Sequence, residues 1–204
     1  MRLRIFLIGL LLGGCLAGFA FNAEAQTTGA NEWKRYELGK GNFSVLLPRQ
    51  PKEEFTPSPS GLLVPIDSYL YSVELEEGSF VAQYSVMGPA AEKWADSAKE
   101  NFYNGVWEGA SGGMDLEMEK GNIPFRIKLV EKRVIKFNGH DGREVVFTLG
   151  PLTGSIWTTL IGRQAFGAMV IGTEKITAED RQKFFDSYTI NLKPIPVEQT
   201  GTSN

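Results

Sequence analysis

A chain of 204 residues with one histidine and one cysteine offers little material for metal or thiol chemistry. The histidine, His140, stands beside Asp141 in the run Gly139-His140-Asp141-Gly142. An imidazole oriented by a carboxylate has the makings of a general base. The flanking glycines, however, give the run the composition of a tight turn, where little surrounding mass would hold an imidazole in place. The reading is a solvated turn, with no catalytic residue. No histidine or cysteine pair is present to hold a metal or a cofactor, so none is expected from those ligands.

Carboxylates are the remaining chemistry. Met114-Asp115-Leu116-Glu117-Met118-Glu119 alternates acid with apolar. In an extended segment all three acids would point one way, so Asp115, Glu117 and Glu119 are weak candidates for Ca²⁺ or Mn²⁺. The run lacks the turn and bidentate pattern of a calcium loop, and a solvated acidic loop is the simpler expectation. Gly109-Ala110-Ser111-Gly112-Gly113 has the composition of a phosphate cradle but neither a Walker lysine nor a preceding strand, so it reads as a connector.

Charge is unevenly spread. The whole chain holds 21 basic and 24 acidic residues, a net −3, which argues against a nucleic-acid partner. Residues 67–119 carry eleven acids against Lys93 and Lys99; residues 120–136 carry Lys120, Arg126, Lys128, Lys132, Arg133 and Lys136 against Glu131. Such segregation can steer a charged partner. The plainer expectation is that the two segments lie side by side and neutralise each other.

The elements that would position these groups begin after a leader. Arg2 and Arg4 precede an uncharged run from Ile5 to Phe21, and Ala23-Glu24-Ala25 supplies small residues for cleavage before Gln26. Residues 1–25 therefore read as a secretory signal, leaving a periplasmic or secreted chain with no stable membrane insertion. The alternative is a lipoprotein anchored through Cys15, in Leu12-Gly13-Gly14-Cys15. Cleavage before Gln26 removes the lone cysteine, and a cysteine-free domain fits a bacterial envelope. Apolar residues at 42% and charged residues at 22% are ordinary for a globular domain. The expected organisation is a polar lead-in over 26–32, one domain over 33–192 and a flexible tail over 193–204.

Within that domain, Trp33 to Leu38 and Asn42 to Leu47 read as strands, and the prolines at 48, 51, 57 and 59 predict a loop over 48–61. Ser68–Leu75 and Phe80–Val86 alternate as an antiparallel hairpin with one wet face. Pro89 opens a helix whose apolar stripe of Ala91, Trp94, Ala98, Phe102 and Val106 spans 90–107, ended by the glycines at 109–113. Phe125 to Phe137 is a strand whose alternation changes phase near Glu131, the mark of a bulge. Residues 139–142 read as a turn. Three further strands follow, over 143–149, 155–161 and 165–171. Thr177 caps a last helix that buries Phe184, Phe185 and Tyr188. Strands, helix, strands, helix is an α+β order with one mainly antiparallel sheet.

The pattern resembles the PsbP-like superfamily, named for an extrinsic protein of the photosynthetic oxygen-evolving complex. The resemblance rests on Asn42-Phe43-Ser44-Val45-Leu46-Leu47-Pro48 with Pro51, on Gly139-His140-Asp141-Gly142-Arg143-Glu144, and on Phe184-Phe185-Asp186-Ser187-Tyr188. It covers about residues 33–192. It implies an α/β/α sandwich around a central antiparallel sheet, and no catalytic residues. Its photosynthetic members dock to a complex and retain Mn, Ca²⁺ and Cl⁻; no run here reproduces their docking segment. The expected function is a non-enzymatic exported module that acts in protein–protein interaction or envelope-complex support, with another envelope protein as partner. The alternative is a periplasmic protein that binds a small molecule or Ca/Mn through Asp115, Glu117 and Glu119. A hydrolase is the weakest reading, for want of a nucleophile–base pair.

Overall fold

The computed structural model describes residues 32–57 and 66–195. Residues 1–25, which include Cys15 and are expected to be a signal sequence, lie outside the described residues, as do Pro59 and the chain beyond residue 195. The elements run β1 (Lys34–Leu38), β2 (Phe43–Leu47), β3 (Lys52–Thr56), β4 (Ile66–Leu75), β5 (Gly78–Met87), α1 (Asp96–Lys120), β6 (Ile127–Phe137), β7 (His140–Leu149), β8 (Leu152–Ile161), β9 (Gln164–Gly172), α2 (Ala178–Ser187) and β10 (Thr189–Ile190). Short 3-10 turns occupy Gly39–Gly41 and Pro89–Lys93. Seven strands form one antiparallel sheet in the order β3-β4-β5-β9-β8-β7-β6, and β1-β2-β10 form a second, small one. The fold is α+β and mainly antiparallel, as expected.

The large sheet is covered on both faces. On one face α1 lays Phe102, Val106, Ala110, Met114 and Met118 onto Phe147, Leu149, Leu152, Ile156, Met169 and Ile171. On the other, α2 and the small sheet bring Phe43, Val45, Leu47, Phe184, Phe185 and Tyr188 onto Tyr71, Val73, Phe80, Phe166 and Val170. The expected helix–sheet–helix sandwich thus has a mixed outer layer, part helix and part small sheet. Phe43 stacks on Tyr188 with ring centroids 4.8 Å apart, and the Tyr188 hydroxyl donates to the Gln83 carbonyl at 3.1 Å. Trp157 stacks on Phe185 at 4.4 Å. α2 opens on the expected Thr177 cap: its hydroxyl accepts from the Asp180 N–H, and Asp180 answers the Thr177 N–H in a capping box.

Several expectations are corrected. The loop over 48–61 contains β3, because Lys52–Thr56 lies between Pro51 and Pro57 and holds no proline of its own. As an edge strand it pairs only with β4. The β4–β5 hairpin has no wet face on β5: Gln83 and Ser85 are buried, and the Gln83 amide donates to Ser85 at 3.1 Å.

The first helix starts later and runs much further. Pro89 opens the 3-10 turn, while α1 passes straight through Gly109–Gly113. Each glycine costs about 1 kcal/mol against alanine. Burying Met114 and Met118 on the same stripe returns about 1.5–3 kcal/mol apiece, so the helix continues. Its end is a Schellman motif. Asn122 adopts φ 50°, its N–H bonds the Glu119 carbonyl, and the Ile123 N–H bonds that of Met118.

The turn placed at 139–142 is also corrected. It is Asn138-Gly139, at φ 51° and 82°, the two-residue hairpin turn that needs positive φ at both positions. His140, Asp141 and Gly142 already belong to β7. The Asn138 amide reaches across to donate to the Tyr188 carbonyl and accept from the Ile190 N–H, which pins β10.

Burial pushes the phenols of Tyr71 and Tyr84 up to about 12 and that of Tyr188 well above its ordinary value. An unfolded tyrosine titrates near ~10. From that pH upward the unfolded chain releases protons that the folded one keeps. Stability from these phenols is therefore full below pH ~10 and lost as pH rises toward ~12. The urea midpoint should hold up to about pH 10 and fall above it, and Tyr71→Phe with Tyr84→Phe should flatten that fall. A second expectation concerns the core itself: Phe184→Ala, at a fully buried ring, should cost about 3–5 kcal/mol in urea unfolding.

Candidate functional site

The structure separates the residues that sequence reading grouped. Asp115, Glu117 and Glu119 lie on α1, not in an extended loop. Helical residues two apart do not share a face, so Glu117 points away from Asp115 and Glu119, which lie four apart on one face. Asp115 accepts the Ile127 N–H at 2.9 Å, and Glu117 accepts from Lys120 at 2.8 Å. No group of three or more potential metal-ligating side chains gathers among the described residues. His140 and Asp141 are neighbours on a strand and so point to opposite faces. The Asp141 carboxylate is held by Lys136 at 2.6 Å, and that hydrogen bond and charge draw its pKa below the ordinary value.

Gly109-Ala110-Ser111-Gly112-Gly113 also spells the Gly-x-Ser-x-Gly of a nucleophile elbow. The elbow needs a strand-to-helix turn that thrusts the serine out. Ser111 instead sits inside α1, its hydroxyl donating to the Glu108 carbonyl at 3.2 Å.

What the fold does present is β6. It is the last strand of the large sheet and pairs with β7 alone. Every residue from Lys128 to Val134 is exposed. Among them are Leu129, Val130 and Val134, with 48%, 61% and 70% of their surface open to solvent. The ladder shifts between Leu129 and Glu131, which leaves Val130 as the extra residue of the expected bulge. Paired residues share a face. Leu129, Lys132, Val134 and Lys136 stand opposite Phe147, Val145, Arg143 and Asp141, on the α1 side. Lys128, Glu131, Arg133 and Ile135 stand opposite Thr148, Val146, Glu144 and Gly142, on the α2 side.

The half of this hairpin next to its turn is tied to its neighbours. Arg143 pairs with Glu100 of α1 and lies 4.9 Å over the Tyr103 ring. The Tyr103 hydroxyl donates to the Asp141 carbonyl at 3.3 Å and accepts the Leu160 N–H at 3.2 Å. Burial raises the pKa of that phenol. On the α2 side, Glu144 takes hydrogen bonds from Ser155 and Trp157 at 2.8 and 2.9 Å and pairs with Arg133 at 3.4 Å.

The cations of β6 divide: Arg133 pairs with Glu131 at 3.0 Å and with Glu144, and Lys136 pairs with Asp141, while Lys128 and Lys132 meet no carboxylate among the described residues. β4 and β6 lie five strand spacings apart, ~24 Å, beyond a Debye length of ~8 Å at physiological salt. Lys132 bonds the neutral Asn104 amide at 3.1 Å, and Arg126 bonds the Asp115 carbonyl rather than its carboxylate. Lys128 has no partner among the described residues. The large sheet is thus acidic toward β4 and basic at β6. Segregated charge is legible in the sequence; the structure divides its acidic part between α1, which carries Asp96, Glu100, Glu108, Asp115, Glu117 and Glu119, and the end of the sheet at β4, which carries Asp67 and Glu74.

Comparison with family models and with curated proteins finds no match. Among solved structures the chain is similar to cyanobacterial PsbP (CyanoP) from Synechocystis sp. PCC 6803, at 10% identity and a TM-score of 0.45, over 82% of this chain and 98% of that one. It is also similar to a Bacteroides thetaiotaomicron protein at 14% identity and a TM-score of 0.37, over 78% of this chain and 49% of that one. A Pseudomonas aeruginosa protein of unknown function follows at 12% identity and a TM-score of 0.28, over 81% and 99%. The chain spans about half the length of the Bacteroides protein. No helix among the described residues is long and apolar enough to cross a membrane.

The Asp115 hydrogen bond makes that residue a strut between α1 and the start of β6. Asp115→Ala leaves the Ile127 N–H without its acceptor and should cost about 1–2 kcal/mol in urea unfolding. Asp115→Asn, which keeps an acceptor oxygen, should recover most of the loss.

Proposed function

We propose that this chain is an exported, non-enzymatic module that docks to a protein partner through β6 and so supports an envelope complex. The observation that carries the reading is the exposure of Leu129, Val130 and Val134 on an edge strand lined with cations. A monomer gains nothing from leaving these apolar side chains in water, and clustered exposure of this kind marks interaction surfaces. The cations would steer an acidic partner to the strand and the apolar groups would hold it. In this reading the leader is removed before Gln26, the mature protein meets its partner in the periplasm, and His140 has no catalytic part.

The test is a photo-crosslinking amino acid at Val134, with one at Glu179 on exposed α2 as control, in cells that export the protein. Irradiation should give one discrete higher-mass adduct from position 134 and none from 179. Lys128→Glu with Lys132→Glu should reduce that adduct severalfold, and His140→Ala should leave it unchanged. Equal adducts from both positions, or none from 134, would overturn the docking reading. Loss of the adduct on His140→Ala in a folded protein would overturn the idle role given to that residue.

A further inference from the structure

We infer, on the premise that β6 is a docking site, that its occupant is an extended acidic segment of the partner, added to the large sheet as an eighth strand. The first ground is the backbone. β6 uses one edge for β7, and the amides and carbonyls of its other edge face no strand among the described residues. At eleven residues it is about twice the usual strand length of ~5–6. Natural edge strands are ordinarily short or covered, since a long bare edge is a template for another strand.

The second ground is charge. Lysines and bulges commonly blunt an edge against self-pairing. Here they act so on a second copy, since β6 against β6 sets a strand of four cations, Lys128, Lys132, Arg133 and Lys136, against the same four with only Glu131 to relieve them. Blunting alone does not account for the exposed Leu129, Val130 and Val134. An acidic strand turns the same lysines from a barrier into an attraction, which is how one edge refuses one partner and admits another. Each face of β6 offers one cation with no carboxylate partner among the described residues, Lys132 on the α1 side and Lys128 on the α2 side, beside one that is paired, Lys136 with Asp141 and Arg133 with Glu144.

The third ground is order. The Arg143–Glu100 pair and the Tyr103 hydrogen bonds hold the hairpin on α1 before anything binds, so the edge is presented without a folding cost. An anionic lipid surface would meet the same cations, but it leaves the outer amides and carbonyls unpaired, whereas a strand satisfies them.

The experiment titrates the isotopically labelled protein, purified from exporting cells, with a blocked decapeptide of alternating valine and glutamate. Controls are the valine–lysine peptide, a glutamate-matched peptide interrupted by prolines, and vesicles containing phosphatidylglycerol. Strand addition requires slowed amide exchange and shifted resonances within residues 127–137 with the glutamate peptide, and no such effect from either control peptide. Binding should weaken with added salt. Lys132→Glu with Lys136→Glu, checked for an unchanged melting temperature, should weaken it about tenfold. Binding without amide protection on β6, equal binding by the proline peptide, or binding to vesicles alone would overturn strand addition. If the Val134 adduct forms in cells and the peptide leaves β6 amides unprotected, docking stands and strand addition fails. If the Val134 adduct is absent, the docking reading fails whatever the peptide does.

Discussion

Every residue of β9 is buried, and this is the constraint from which the rest of the architecture follows. A strand buried on both faces must have a layer above and a layer below. α1 supplies one, through Met169 and Ile171; α2 and the small sheet supply the other, through Phe166 and Val170. Neither layer is wide enough for the whole sheet. Seven strands at ~4.8 Å span roughly 29 Å, and a helix with its side chains covers ~10–12 Å. Cover is therefore spent on the middle strands, and the margins go bare. β6 lies three strand spacings from β9 and receives only the flank of α1, which is why its surface differs so much from that of its neighbours.

Polar groups close the layers where apolar packing alone would leave them free to slide. Ser187 accepts the Leu46 N–H at 2.8 Å and donates to the Phe184 carbonyl, so one hydroxyl joins β2 to the end of α2. Arg35 reaches both Ser44 and the Ser187 carbonyl. Arg181 gives its guanidinium to three carbonyls, those of Thr153, Gly172 and Ile176, and has no carboxylate partner among the described residues. These bonds fix α2 against the strands beneath it, and through Asn138 they extend to the β6–β7 turn. The β6–β7 hairpin is thus anchored at its α1 side by Arg143 and at its turn by Asn138.

Strands with clean alternation were legible in the chain: β4 and the bulged β6 begin within two residues of where the pattern places them, β7 and β8 each begin three residues sooner, and the Thr177 cap is present. The departures have common physical roots. Local propensity was overridden by burial at Gly109–Gly113, where the Met114 and Met118 stripe carries α1 onward. A five-residue strand between two prolines is too short to show a period, so β3 was hidden. Gln83 and Ser85 look wet by type, yet they lie in a covered part of the sheet and satisfy each other. The candidate site was half legible. Its cations and its bulge are visible in the sequence; its position at the end of the sheet is a matter of strand order, which periodicity does not encode.

The small sheet has a consequence for how the molecule comes into being. β2 lies between β1 and β10, and the Lys193 N–H closes onto Asn42 across 151 residues of chain. β1 and β2 therefore wait for β10 and Lys193 to be synthesised before their layer is complete. Contacts of such long sequence separation slow folding, because loop-closure entropy is lost before any contact repays it. β2, which buries Phe43, Val45 and Leu47 at no exposure in the finished protein, is an unshielded apolar strand throughout elongation. So arranged, β1 and β2 stay without their full layer until β10 has emerged.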